Sequence, residues 1–175
     1  MDKINILHIS DLHYDDLTKV KHIAISDALV ADIKRIKANE GLTPDLIIFA
    51  GDLVNRGSEG KETYKGVSTI YVEPLLSATG LTQESFFCVP GNHDVDRDKS
   101  YKEFEAGLAS QVGTSDELNS YYNNCIKTDA RYAPYRHKLE EYYKFEKSYN
   151  GTSLIHQDDF LGVDIVNVKG IEIAI

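Results

Sequence analysis

The chain has 175 residues, 42% of them apolar, with a formal net charge of -9. Such a length and apolar content suit one domain with a substantial core and exclude a disordered chain. The acidic balance excludes a protein that grips nucleic acid through a broad basic surface, although bound metal ions would invert the potential locally.

In chain order, Ile4 to Ile9 is a short β-branched run that predicts a buried strand. No basic region leads an apolar core at the N-terminus, so no secretory signal is expected. From Lys19 to Asn39 the residues Val20, Ile23, Ala24, Leu29, Val30, Ile33 and Ile36 recur at helical spacing, with Gly41 as the stop and Pro44 marking the turn onward. Leu46 to Ala50 is a second strand. A helix follows over Glu62 to Ala78, which Pro74 should kink or divide and Gly80 should end. Phe86 to Val89 is the third strand. Strand, helix, strand, helix, strand predicts a parallel sheet flanked by helices.

After Asp94 the chain turns polar and Tyr-rich. Pro134 separates helical stretches around Glu117 to Thr128 and Tyr135 to Tyr149, read as a helical insertion at about 98–155 within one domain, 1–175. The tyrosines there (Tyr101, Tyr121, Tyr122, Tyr132, Tyr135, Tyr142, Tyr143, Tyr149) either stack bases or pack. Tyr142 and Tyr143 face different sides of a helix, so at least one should be buried. Phe160 to Val168 and Ile171 to Ile175 predict strands, with Lys169-Gly170 as a hairpin turn. No apolar run approaches the roughly 20 residues that span a bilayer. The two cysteines are Cys88 and Cys125, and Cys88 reads as a small buried hydrophobe. Reduced thiols and a cytoplasmic location are the expectation.

Three segments sit where predicted strands run into loops: Ser10-Asp11-Leu12-His13, Gly51-Asp52-Leu53-Val54-Asn55-Arg56-Gly57 and Gly91-Asn92-His93-Asp94. Open α/β sheets bind ligands outside the carboxyl ends of their strands. Asp11-x-His13 pairs a hard oxygen with an imidazole, Asp52 could bridge two ions with its two oxygens, and Asn92 offers a neutral carbonyl. Mixed O and N donors suit Mn, Fe, Zn or a related ion rather than an all-oxygen calcium site. Each segment alone is an ordinary turn. Three in order at successive strand ends make a metal site the better reading.

These motifs resemble those of the calcineurin-like metallophosphoesterase superfamily, over about Lys3 to Asp94. The resemblance implies a four-layer α-β-β-α sandwich with two divalent ions, Mn favoured and Fe, Zn, Mg or Ni as alternatives. It implies Asp11, His13 and Asp52 on one metal, Asp52 and Asn92 on the other, His93 facing the leaving-group oxygen, and Arg56 on the phosphate. Asn55 stands where the phosphatase branch has an Asp, so Asp94 or a water is left to orient His93. That departure shifts the expected function from protein phosphatase to phosphodiesterase or nuclease, with a nucleotide or nucleic acid among the phosphoester substrates.

The family completes its site with a further His and a Gly-His-x-His segment, and neither is matched here. His137 and His156 read as surface residues, His8 as a core or supporting histidine, and His22 receives no role. The expectation is therefore the N-terminal part of a longer domain, inactive in isolation, with further domains or a protein partner beyond Ile175. Two alternatives stand: a non-catalytic interaction module that keeps the fold, and the N-terminal effector of a multidomain protein.

Overall fold

The computed structural model describes residues 3–99, 106, 110, 112–121, 123–124, 137–150, 156–157, 162–163 and 165–175. Strands β1 (Ile6–Ile9), β2 (Leu46–Ala50) and β3 (Phe86–Val89) form a parallel sheet in that order. Ile9 pairs with Phe49 and Ala50 with Val89, so the three strands finish almost level and deliver their loops to one edge.

Alternation along the strands divides the sheet into two faces. Leu7, Ile9, Ile47, Phe49, Phe86 and Cys88 point into the core, where they meet Ile33, Val67, Ile70, Leu75, Tyr142 and Phe145. Those partners come from α1 (Lys19–Glu40), from the helical run made of α2 (Lys61–Val67), a π turn (Ser68–Val72) and α3 (Glu73–Thr79), and from α5 (Glu140–Asn150); α4 is Ser115–Tyr121. The protein is thus a mixed α/β fold with a parallel sheet, as the sequence pattern predicts. On the other face Leu46 and Phe87 are buried, but Ile6 is 47% and Val89 43% exposed. His8 lies on that face and is exposed, which corrects its expected place in the core.

The run from Lys61 to Thr79 shows how Pro74 is accommodated. The Glu73 N–H reaches back five residues to the Ser68 carbonyl, a π-type bond that widens the helix just before the proline. Pro74 has no N–H to give the carbonyl four residues earlier, that of Ile70. Ser26 on α1 supplies the donor instead, its hydroxyl bonding the Ile70 carbonyl. One helical turn away His22 Nδ1 lies 2.8 Å from the Tyr71 hydroxyl. His22, with no role expected from sequence, is therefore a buried joint between α1 and the π turn. Both long helical segments end where expected, with the N–H of Gly41 on the Lys37 carbonyl and that of Gly80 on the Leu76 carbonyl.

Later in the chain β4 (His156–Gln157) pairs antiparallel with β5 (Gly162–Val163), and β6 (Ile165–Val168) with β7 (Ile171–Ala174). Lys169 and Gly170 turn the second hairpin with φ of 52° and 80°. The Lys169 ammonium bonds Asp45 at 2.9 Å and the Lys3 carbonyl at 3.2 Å, tying the hairpin to the sheet end away from the three loops. Tyr142 is buried, meeting the expectation for the Tyr142–Tyr143 pair. Tyr101, Tyr122, Tyr132, Tyr135, Cys125, Pro134 and Phe160 lie outside the described residues. Among the described residues no helix is long and apolar enough to cross a membrane.

Candidate metal centre

The loops after β1 and β2 run on side by side. Asp11 N–H donates to the Gly51 carbonyl (3.2 Å), His13 N–H to Asp52 (2.9 Å), Tyr14 N–H to Leu53 (3.0 Å) and Asn55 N–H to Tyr14 (2.9 Å). This lattice brings the Asp11, His13 and Asp52 side chains together. His13 Nε2 lies 3.9 Å from an oxygen of each carboxylate. Asp52 is nearly enclosed, whereas the Asp11 side chain is 67% exposed.

The third loop locks onto the second. His93 N–H donates to Asp52 Oδ1 (2.9 Å) and Gly57 N–H to the His93 carbonyl (2.8 Å). Close approach requires glycine at both contacts. A Cβ on Gly91 would fall onto Asp52 Oδ1 and its main-chain nitrogen, and one on Gly57 onto the Asp94 carbonyl oxygen. His93 and His13 meet edge to face with centroids 4.5 Å apart. Ligand atoms of His13, Asp52 and His93 all lie within 4.8 Å of one another.

Asp11, His13 and Asp52 have φ of 55°, 46° and 51°. Side chains with a Cβ pay about 1–2 kcal/mol for this left-handed region. Asp and His are among the residue types that enter it more readily, and strained backbone of this kind clusters at functional sites.

Asn55 does not hold His93 through its side chain. His93 Nδ1 lies 2.7 Å from the Asn55 main-chain carbonyl. A carbonyl only accepts, so Nδ1 carries the hydrogen and Nε2 is left for other chemistry. The Asn55 amide instead donates to Asp15 Oδ2 at 3.3 Å. Asp94, expected beside the ring, has another task. Its buried carboxylate accepts from the main-chain N–H groups of Leu53 (3.2 Å), Val54 (3.3 Å) and Gly91 (2.8 Å), and from the Tyr64 hydroxyl (3.2 Å). Burial pushes its pKa up, against the pull of those hydrogen bonds. Asn92 and Arg56 are exposed on the loop surfaces, Arg56 opening the short turn Gly57–Glu59.

The donor set fits divalent ions. Imidazole and carboxylate converge on one point, and among the described residues the buried His13 Nδ1 has no hydrogen-bond partner. His137 is mostly exposed beside Glu140 at 3.9 Å, away from this cluster. Tyr14, Tyr64 and Gly66 were not singled out from sequence. Tyr14 is fully buried beside His13, and a Cβ on Gly66 would strike its ring. The one available signal was a glycine in the interior of a predicted helix, which marks close packing.

The chain matches the calcineurin-like phosphoesterase family model over residues 4–172, and it belongs to that family. It is also similar to the uncharacterized metallophosphoesterase-like protein YydB of Bacillus subtilis (strain 168), with 29% identity over 96 residues. The match takes in 55% of this chain and 18% of that relative, so the chain spans only a small part of the relative's length.

Proposed function

We propose that the full-length protein is a metal-dependent phosphoester hydrolase acting on a phosphodiester, with nucleotides or nucleic acid as the substrate class. The observation that carries the reading is the convergence of His13, Asp52 and His93, with the Asp11 carboxylate against His13. Asp11, His13, Asp52 and Asn92 are the proposed ligands of two divalent ions, with Mn the favoured metal. Bound there, such ions activate a water at neutral pH and offset charge on phosphoryl oxygens.

The chain's own groups supply the rest. The enclosed Asp52 has two oxygens, one taken by the His93 N–H and the other turned toward His13. His93, with Nδ1 committed to the Asn55 carbonyl, keeps Nε2 facing outward, and the ring gives the Nε2 proton to the departing oxygen when both nitrogens carry one. The Arg56 guanidinium suits two-pronged contact with a phosphate. Asn55 in place of an acidic side chain, with the Gly-Asn-His-Asp ending, supports a phosphodiesterase or nuclease over a protein phosphatase.

The test is hydrolysis of bis(p-nitrophenyl) phosphate by the full-length protein, beside the monoester p-nitrophenyl phosphate. Turnover of the diester is expected with Mn2+ and none with EDTA. Turnover that survives EDTA refutes the metal-dependent reading, and a preference for the monoester refutes the diester assignment. Mn2+ binding with no turnover of either ester would leave the fold as an interaction module.

A further inference from the structure

The metal loops do not rest on one another alone. Among the described residues four groups bond the Asp94 carboxylate: two N–H groups of the Asp52 loop, one of the Asn92–His93 loop, and the Tyr64 hydroxyl on α2. Tyr64 is buried, and its ring meets Phe145 (centroids 5.4 Å) and Tyr142 (6.5 Å) on α5. The same part of the chain grips the third loop at further points. The Tyr142 hydroxyl donates to the Cys88 carbonyl at 2.8 Å, one residue before β3 ends. The Asp96 N–H donates to the Lys138 carbonyl at 2.8 Å. Lys99 bonds the His137 carbonyl and Glu140, both at 3.3 Å.

We propose that Tyr64 is a positioning residue of the metal centre. Its hydroxyl and the Asp94 carboxylate form a buried staple that fixes the spacing of the Asp52 and Asn92–His93 loops, with α5 closing over it. The inference rests on the metal-site reading above and adds to it the element that sets the affinity. A carboxylate suits the role because it accepts four hydrogen bonds at once and cannot donate. Removing the Tyr64 hydroxyl leaves Oδ1 with the Val54 N–H alone and a buried charge short of one partner. Outer groups that hold a metal's surroundings change its affinity by about 10–100-fold when removed.

The experiment compares wild type, Tyr64→Phe, Asp94→Asn and Tyr71→Phe. Mn2+ binding is followed by calorimetry, and amide hydrogen exchange is followed in EDTA. Tyr71 serves as control because its buried hydroxyl bonds His22 on α1 rather than the Asp94 carboxylate. Tyr64→Phe should bind Mn2+ about tenfold more weakly. The Leu53, Val54 and Gly91 amides should exchange faster in it, and in the full-length protein kcat should fall with KM little changed. Asp94→Asn should do the same more strongly, while Tyr71→Phe should lower thermal stability and leave Mn2+ affinity as in wild type. Unchanged affinity and unchanged exchange in Tyr64→Phe would overturn the proposal. So would an equal loss of affinity in Tyr71→Phe, which would mark a general loss of stability. Should Tyr64→Phe not fold, Asp94→Asn decides on the same two readouts. Failure of wild type to bind Mn2+ would refute the metal site itself, and exchange at the three amides in EDTA would still judge the staple.

Discussion

The hydroxyl of Ser26 donates to the main-chain carbonyl of Ile70, the acceptor that Pro74 leaves without a donor. A proline in a helix removes one hydrogen bond, and a buried carbonyl left unpaired costs about 1–3 kcal/mol. Ser26→Ala should therefore lower stability to urea by about that amount. In a Pro74→Ala background, where an N–H is restored at position 74, the same change should cost clearly less. Equal costs in the two backgrounds would show that Ser26 acts through something other than this carbonyl.

Asp52 and His93 should separate by what they do to metal and to turnover. Asp52→Asn removes the charge facing His13, and both Mn2+ binding and diester hydrolysis should be lost. His93→Ala should keep Mn2+ bound and lower turnover by about 10²–10⁴-fold, the usual range for a general acid. Parallel loss of metal and turnover in His93→Ala would make His93 a ligand, a role open to it by its closeness to His13 and Asp52.

Gly91 tests how tightly the second and third loops must approach. A Cβ there would meet Asp52 Oδ1, so Gly91→Ala must move the carboxylate or the loop. Mn2+ affinity should fall by about 10–100-fold. Gly113→Ala, whose Cβ would meet, among the described residues, nothing closer than Glu117 Oε2 at 3.6 Å, should leave it unchanged. Calorimetric titration of the two variants checks the contrast.

His22 makes stability depend on pH with a definite sign. Burial lowers its pKa, with Lys21 adding to the effect. The unfolded chain, with an ordinary histidine pKa near 6.5, therefore takes up the proton first as pH falls. The His22 contribution is complete above about 6.5 and is lost between that value and the depressed folded pKa. Thermal melts from pH 7.5 to pH 5 should show a smaller acid loss for His22→Gln than for wild type. Parallel curves would place the acid sensitivity elsewhere.

The strands were legible to the residue at β2 and β3, because each apolar run is closed by a glycine or proline turn within two residues of its end. Helix α1 was readable for its spacing and its Gly41 stop. The π turn was not, since it depends on Ser26 from a helix more than forty residues earlier. The metal loops could be recognised by side-chain type. What holds them could not: the partner of His93 is a main-chain carbonyl, which any residue at position 55 offers. Asp94 was visible as a carboxylate near the site, but its partners are main-chain N–H groups and the hydroxyl of Tyr64, a helix residue with nothing in its local sequence to link it to the loops. His8 misled because an exposed strand face carries the same alternation as a buried one until its covering is known.

The left-handed backbone at Asp11, His13 and Asp52 has a consequence for choosing inactive variants. Asparagine enters that region at least as easily as aspartate, whereas alanine resists it and β-branched residues resist it more. An alanine at position 52 would delete the carboxylate and bend the loop lattice in the same stroke. An asparagine there subtracts the charge and leaves the chain path alone. A catalytically dead protein that must keep its shape, as bait for substrate or for crystals with it, is best made with the amide.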